Sequence, residues 1–310
     1  MSSIKYSFFT LSFLFIFSGS TLADENCDFA TDLVIQAFDA GDLGRQDEEK
    51  RLLLRALRFC PNHADAHNNL ATLFKAEGND DLAIAHYRLA LQIKPNFSFA
   101  WYGLGEVYFE QGQFPLSLYA HLQACQSDKD SKLRVADLLI NQKYAVSAEG
   151  KILNKESLLC LFDAKRRQTI NQLLSDCGFR IVRVKPAVVF YNIQFDTGRA
   201  TLKSGTEAQL EALAAALINL QNRFVKIHGH TDNQVFVGYS PSESKRLNLI
   251  LSEKRAASVA RALASRGVSM NRLRTFGYGN ELPLVSGSSS AARAKNRRVE
   301  IEVPEVEFKE

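Results

Sequence analysis

Small and large apolar residues recur at a fixed step through the first half of the chain. Ala37, Ala71 and Gly105 are 34 residues apart, as are Ala56, Ala90 and Ala124, and Pro61 and Pro95 keep the same interval. Bulky residues fall at matching places, Leu70 with Leu104 and Phe74 with Tyr108. Gly78 and Gly112 sit where a turn between two helices belongs. Small residues let two antiparallel helices approach closely, and bulky ones fill the space between successive hairpins, so the period predicts a stacked helical array. Three units fit, 30–63, 64–97 and 98–131. The first is degenerate, with Gln36 where the others carry leucine, and reads as an end cap.

The pattern changes after residue 131. The segments SKLRVADLLINQ and KESLLCLFDAKRRQTINQLLSD have helical spacing but no readable motif, so residues 132–180 stand as a connector. Beyond it, FRIVRVKPAVVFYNIQFDTG reads as strand interrupted at Pro186. A helix follows, with Leu210, Leu213, Ala214 and Leu217 on one face and Thr206 with Gln209 as a capping box. FVKIHGHTD alternates as a strand, turning Val225 and Ile227 inward and Lys226, His228, His230 and Asp232 outward. A second helix points Leu249, Ala256, Val259 and Leu263 at a core, carries Asn248, Ser252 and Arg255 as a polar stripe, and ends at Gly267. LRTFGYG and NRRVEIEV complete a sheet, with Val299, Ile301 and Val303 alternating against Arg298, Glu300 and Glu302. This order predicts two domains, an all-α repeat array and then an α/β (α+β sandwich) domain over residues 181–305.

Composition narrows the partners. The chain has 310 residues, 46% of them hydrophobic, and a formal charge of +4 from 38 basic and 34 acidic residues. Charge this mild gives no case for nucleic acid. At the N-terminus, Lys5 precedes an apolar run from Phe8 to Phe17 and small residues ending at Ala23, which reads as a signal peptide over 1–23. A membrane anchor competes, but the run is shorter than the ~20 residues of a spanning helix, and no later stretch approaches that length, so no span is expected after cleavage. Asp24-Glu25-Asn26 before Cys27 is not the small apolar run that lipidation needs. Export implies the periplasm, where disulfides form. Cys27 lies at the start of the first helix and Cys60 at the end of the second, positions that an antiparallel hairpin brings together, so they are expected to bond.

The stretch KIHGHTDNQ holds the densest chemistry. His228, His230 and Asp232 could chelate zinc and make a metal-dependent hydrolase. Such a centre needs more ligands, yet His63, His67, His86 and His121 all lie in the repeats and no cysteine follows Cys177. Hydrogen-bonded structural histidines are the cheaper reading, with no catalytic residue, metal or cofactor.

Two families are recognisable. The repeats resemble the tetratricopeptide repeat, which implies a concave groove for a protein or peptide partner, with a spacer role as the alternative. Trp101, Tyr102 and Tyr108 could touch such a partner, but Trp101 and Tyr108 fall at packing positions. The segments FDTGRATL, GHTDN, NLILSEKRA, FGYGNELP and ARAKNRRVEI, in that order, resemble the OmpA-like peptidoglycan-binding domain of outer-membrane protein A, the peptidoglycan-associated lipoprotein and MotB. That resemblance implies non-covalent, non-catalytic binding of the meso-diaminopimelate in the wall's stem peptide. It implies Asp232 for the ligand's ammonium and Arg255 for its carboxylate. Asn248 would hold the ligand loop, and Thr197, Asp196 and Arg298 would line the pocket. Asp196 is as readily a turn cap, and Arg297 and Arg298 as readily a solvated strand end. The insert after Asp232, NQVFVGYSPSESKRL, departs from the family and borders the pocket. The expectation is a wall-associated periplasmic adaptor, with the outer membrane as a further station, that grips peptidoglycan and recruits an envelope protein; a pure scaffold without wall binding is the other alternative.

Overall fold

The computed structural model describes residues 20–305 except Thr197 and Asn222. The expected leader, 1–23, lies outside these residues through position 19. Among the described residues, no helix is long and apolar enough to cross a membrane.

Three helical hairpins form the array: α1 (Ser20–Asp42) with α2 (Gln46–Phe59), α3 (Ala64–Ala76) with α4 (Asp80–Ile93), and α5 (Ser98–Glu110) with α6 (Phe114–Ala124). The repeating small residues do what the period demands. Ala37, Ala71, Ala56 and Ala90 are wholly buried, and a side chain at Gly105 would run into the His121 imidazole. The turns at Gly78 and Gly112 need φ of +74° and +72°, a conformation glycine adopts without steric cost. A groove of about 650 Å³ opens along the array, lined among others by Ile35, Phe38, Asn69, Thr72, Tyr87 and Phe99. Tyr108 is buried in the core, while Trp101 is half-buried and donates to the Pro95 carbonyl at 2.7 Å.

The connector is folded. It comprises α7 (Lys129–Leu139), a 3-10 turn (Ile140–Ala145), α8 (Lys155–Phe162) and α9 (Ala164–Asp176). Helix α7 buries Val135 and Leu138, and its Arg134 forks onto Glu106 of α5 at 2.9 and 3.0 Å. Burial pushes the Glu106 carboxyl up, but hydrogen bonds from His121 and Arg134 outweigh it and hold the group down at about 2. One apolar core runs from Phe114 and Leu118 of α6, through Leu158 and Leu161 of α8, to Val299 and Ile301 of the sheet.

The sheet has the order β1-β4-β2-β3, from β1 (Ala187–Phe190), β2 (Val225–Gly229), β3 (Leu273–Gly277) and β4 (Val299–Glu302). Strand β4 is antiparallel to both β1 and β2, and β3 is parallel to β2. Helices α10 (Glu207–Asn219) and α11 (Pro241–Ala264) cover one face, burying Leu213, Leu217, Val259 and Leu263 against Val225 and Ile227. A short helix α12 (Ser290–Asn296) precedes β4. The β1 edge is closed by the connector, where Ser147 N–H donates to the Val189 carbonyl at 3.0 Å, so β3 is the open edge.

Two local expectations are corrected. Thr206 does not form a capping box with Gln209; its hydroxyl donates to the Lys203 carbonyl. Gln209 is fully buried and clamps both the N–H and the carbonyl of Leu153, at 3.0 and 3.1 Å, because the connector backbone passing there has no other partner for those groups. Leu249 is 37% exposed rather than in the core, since the first half of α11 turns its polar stripe inward.

Helix α11 lies close on the sheet because Gly229 and Gly277 have no side chains. A Cβ at Gly229 would overlap the Ser252 carbonyl oxygen, and one at Gly277 would overlap the Glu253 backbone nitrogen. Gly229→Ala is therefore expected to destabilise the protein by about 1–3 kcal/mol in urea unfolding. A change under a few tenths would show that the helix can retreat freely.

Cys27 and Cys60 are disulfide-linked with Cα atoms 4.9 Å apart, and Cys125 and Cys177 are linked at 5.9 Å, fastening α6 to the end of α9. Cys160 is free, and burial pushes its thiol up to about 12. Non-reducing peptide mapping of the oxidised protein is expected to find those two links and to show Cys160 resisting alkylation until the chain unfolds; scrambled pairs would contradict the arrangement.

Candidate functional site

Strand β2 ends at Gly229, and the next three residues, His230, Thr231 and Asp232, run on as buried chain. Backbone bonds fix them on both sides. His230 N–H donates to the Arg298 carbonyl at 3.1 Å, and Thr231 N–H donates to the Gly279 carbonyl at 2.8 Å. The Ser252 hydroxyl accepts from Gly279 N–H at 2.8 Å and donates to the Leu249 carbonyl, tying this loop to α11. Gly279 has φ of +52° and packs against the backbone of Leu249, which leaves no room for a larger residue.

Asp232 is 6% exposed. One oxygen accepts from Gln234 N–H at 3.0 Å, closing a local turn, and the other meets the Arg297 guanidinium at 2.5 Å. Asn248 on α11 donates to the Gln234 carbonyl at 3.2 Å and so holds the first residues of the long loop. Arg255, one turn beyond Ser252 on α11, is 5% exposed. Its Nε–H donates to the Arg199 carbonyl at 3.1 Å and its guanidinium lies over the Phe195 ring at 5.0 Å. Burial lowers the Arg255 pKa, the Asp232 charge opposes that, and Arg297 adds to it.

The expected site residues therefore divide. Asp232 and Asn248 both bond Gln234, and Arg255 senses the Asp232 charge while its own bond goes to the Arg199 carbonyl. Asp196 lies in the turn that Arg255 grips, where Asp196 N–H donates to the Thr201 carbonyl and Arg199 N–H to the Asp196 carbonyl, both at 3.0 Å. Thr197 lies outside the described residues. Arg298 is buried and faces elsewhere: it bonds Glu300 at 2.6 Å and the Leu282 carbonyl at 3.1 Å, bracing the loop before α12. Arg297, read from the sequence only as a solvated strand end, is the direct partner of Asp232. The signal that could have found it is the antiparallel pairing of β2 with β4, which puts the residue before Arg298 beside the residues after His230. Arg297 thus bonds the Asp232 carboxylate directly, and the buried Arg255 acts on it through charge alone.

The histidines take other work. His228 Nδ1 is 3.2 Å from the Tyr278 hydroxyl and its Nε2 is 3.3 Å from Glu302. His230 stacks on Tyr278 at 5.2 Å, and its Nε2 is 3.6 Å from Glu300, beyond hydrogen-bond reach. His228 and His230 thus share Tyr278, whereas Asp232 turns to Arg297. Among the described residues, no three His, Cys, Asp or Glu side chains converge as metal ligands.

Residues 194–297 match the OmpA family model, and residues 73–112 match a TPR repeat model. The C-terminal domain is OmpA-like. The chain is 38% identical over 110 residues to the probable lipoprotein YiaD of Escherichia coli, covering 36% of this chain and 47% of the relative. It is 32% identical over 106 residues to the peptidoglycan-associated lipoprotein of Brucella suis, covering 34% of this chain and 58% of the relative. The chain spans about half the length of the curated relatives it matches, 47% of YiaD and 52% of outer membrane protein A from Bordetella avium. Among solved structures, the peptidoglycan-associated lipoprotein from Burkholderia pseudomallei is 28% identical, with 36% of this chain and 88% of that chain covered and a TM-score of 0.32.

Acid should expose the cost of the buried rings. Burial first, then Arg298 and His228, pushes His230 down to about 3, and burial also lowers His228 against the pull of Glu302. As pH falls below the ordinary 6.5, the unfolded chain takes up protons that the folded chain refuses. Stability from this source is complete above pH 6.5 and is lost progressively toward pH 3, by at most about 1.4 kcal/mol per pH unit per group. Urea unfolding between pH 7 and 4 is expected to show this slope, and His230→Phe is expected to flatten it; an unchanged slope in the variant would assign the acid sensitivity elsewhere.

Proposed function

We propose that the protein is a non-catalytic adaptor of the cell envelope. Its OmpA-like domain binds peptidoglycan non-covalently through the meso-diaminopimelate of the stem peptide, and its repeat groove receives an envelope protein or peptide. The observation that carries this reading is Asp232 at the end of β2, bonded directly to Arg297 and within electrostatic reach of the buried Arg255. The end of diaminopimelate carries an ammonium beside a carboxylate. A carboxylate on the protein accepts from the first, and a planar guanidinium meets the second with two parallel hydrogen bonds. Arg297, 44% exposed, fills the ammonium's place beside Asp232 in the free protein and can swing away when a ligand arrives. The Arg255 guanidinium is then the group left to meet the ligand carboxylate.

The names of the relatives support the same direction, since they include peptidoglycan-associated lipoproteins and the peptidoglycan-binding protein ArfA of Mycobacterium bovis. Wall association in the periplasm follows, beside or at the outer membrane. The repeat groove mixes aromatic and amide side chains, which suits a peptide with both apolar side chains and backbone groups to satisfy.

Co-sedimentation with purified diaminopimelate-type sacculi tests the reading. Each charge-assisted hydrogen bond contributes roughly 1.5–3 kcal/mol, so Asp232→Ala and Arg255→Ala should each weaken binding tenfold or more, and added salt should weaken the native protein's binding. Native protein that stays in the supernatant would favour the scaffold role instead, and variants that sediment like the native chain would remove Asp232 and Arg255 from the site.

A further inference from the structure

The sheet face opposite α10 and α11 carries a ladder of rings that the ion cluster does not use. His228 on β2 is in register with Phe276 on β3, and their rings stack at 5.4 Å with 18° between planes. His228 stacks in turn on Tyr278 at 5.6 Å, and Tyr278 on His230 at 5.2 Å. The inner end of the ladder, His230, is buried two residues before Asp232. The outer end, Phe276, is 39% exposed on the open edge strand. Around the rings lies a polar rim: Lys226 and Glu302, 3.5 Å apart and both partly exposed, and the exposed Arg274 on the neighbouring strand.

A strip one ring wide, rimmed by both signs of charge, is too narrow and too polar for a protein partner that needs several hundred Å² of apolar contact. It suits a ligand with a small apolar face and a hydroxylated edge. A pyranose has that shape: its axial C–H bonds present partly positive hydrogens to the negative face of an aromatic ring, while its hydroxyl and acetamido groups reach charged side chains at the rim. The ladder is also continuous with the ion cluster, since His230 and Asp232 are separated by about 7 Å of extended chain. In a wall polymer, sugar and stem peptide are covalently joined, so a ligand anchored at Asp232 brings its sugar to this face.

We propose that Phe276, with the Lys226 and Glu302 rim, forms a saccharide subsite for the amino-sugar backbone of peptidoglycan. The choice of amino sugar rests on the wall-binding reading of the Asp232 cluster. The subsite makes the domain read two parts of one ligand, the charged amino acid at Asp232 and Arg255 and the sugar at the sheet edge.

The test titrates the full chain separately with two probes and follows ring resonances by NMR. One probe is peptide-free glycan of alternating N-acetylglucosamine and N-acetylmuramic acid; the other is a diaminopimelate-containing stem tripeptide. Glycan is expected to shift the Phe276 and His228 rings. Phe276→Ala should weaken glycan binding about three- to tenfold and leave tripeptide binding unchanged, and Phe276→Trp should restore glycan binding. Lys226→Gln, at the rim, should also weaken it. Wild-type rings that do not respond to glycan, or equal glycan affinity in Phe276→Ala, would overturn the subsite. Glycan binding without tripeptide binding would sustain the subsite and overturn the diaminopimelate reading, so the two fail separately.

Discussion

How closely α11 can lie on the sheet sets everything at the charged end of the molecule. Gly229 and Gly277 remove the side chains that would hold the helix away, and Gly279 lets the following loop fold back against Leu249. Only at that separation does Ser252 reach Gly279 N–H and bring the polar stripe of α11 beside the buried chain after β2. Asp232 and Arg255 are then both drawn from water: the Asp232 charge favours the buried Arg255 cation while Arg297 opposes it, and Arg297 is the direct partner that holds the Asp232 charge. A buried cation without that carboxylate would be costly, so the glycine contacts and the ion cluster stand or fall as one unit.

The same dependence explains what could be read in the chain beforehand. The repeat was legible because interhelical contacts force small residues to recur, and Ala71, Gly105 and Ala90 are buried where the 34-residue step places them. The β2 and β4 alternation was legible because one face of the sheet is covered and the other open. The pairing of Asp232 with Arg255 was an expectation from motif resemblance, not from periodicity. Arg297 was hidden, since its role depends on a pairing between strands about 70 residues apart in sequence, which no local pattern records. Gln209 was misjudged for a related reason. Three residues after a threonine it looks like a cap, but the Leu153 backbone arriving from the connector offers it two buried partners at once. Leu249 likewise obeys helical spacing yet lies outside, because the polar stripe of α11 is the buried one along its first half.

The histidines show how one motif can look like two chemistries. Alternation places His228 and His230 on one side of the chain, as a metal site would, but the rings lie flat against Tyr278 and Phe276 and spend their faces on stacking. A buried neutral ring beside Arg298 costs little at neutral pH and more in acid. The side chains are thus part of the support of the Asp232 segment, and their neutrality matters to it.

The connector between the two ends of the chain has a mechanical meaning. Its helices share one core with α6 and with the sheet, Gln209 clasps it, and the Cys125–Cys177 link closes its far end, so the repeats and the Asp232 segment are joined through packed structure rather than a loose linker. Under the proposed function, a partner in the groove would sit at a set bearing and distance from a ligand at Asp232. Such a build would act as a bracket rather than a tether, keeping the two proposed attachments in alignment without first taking up slack.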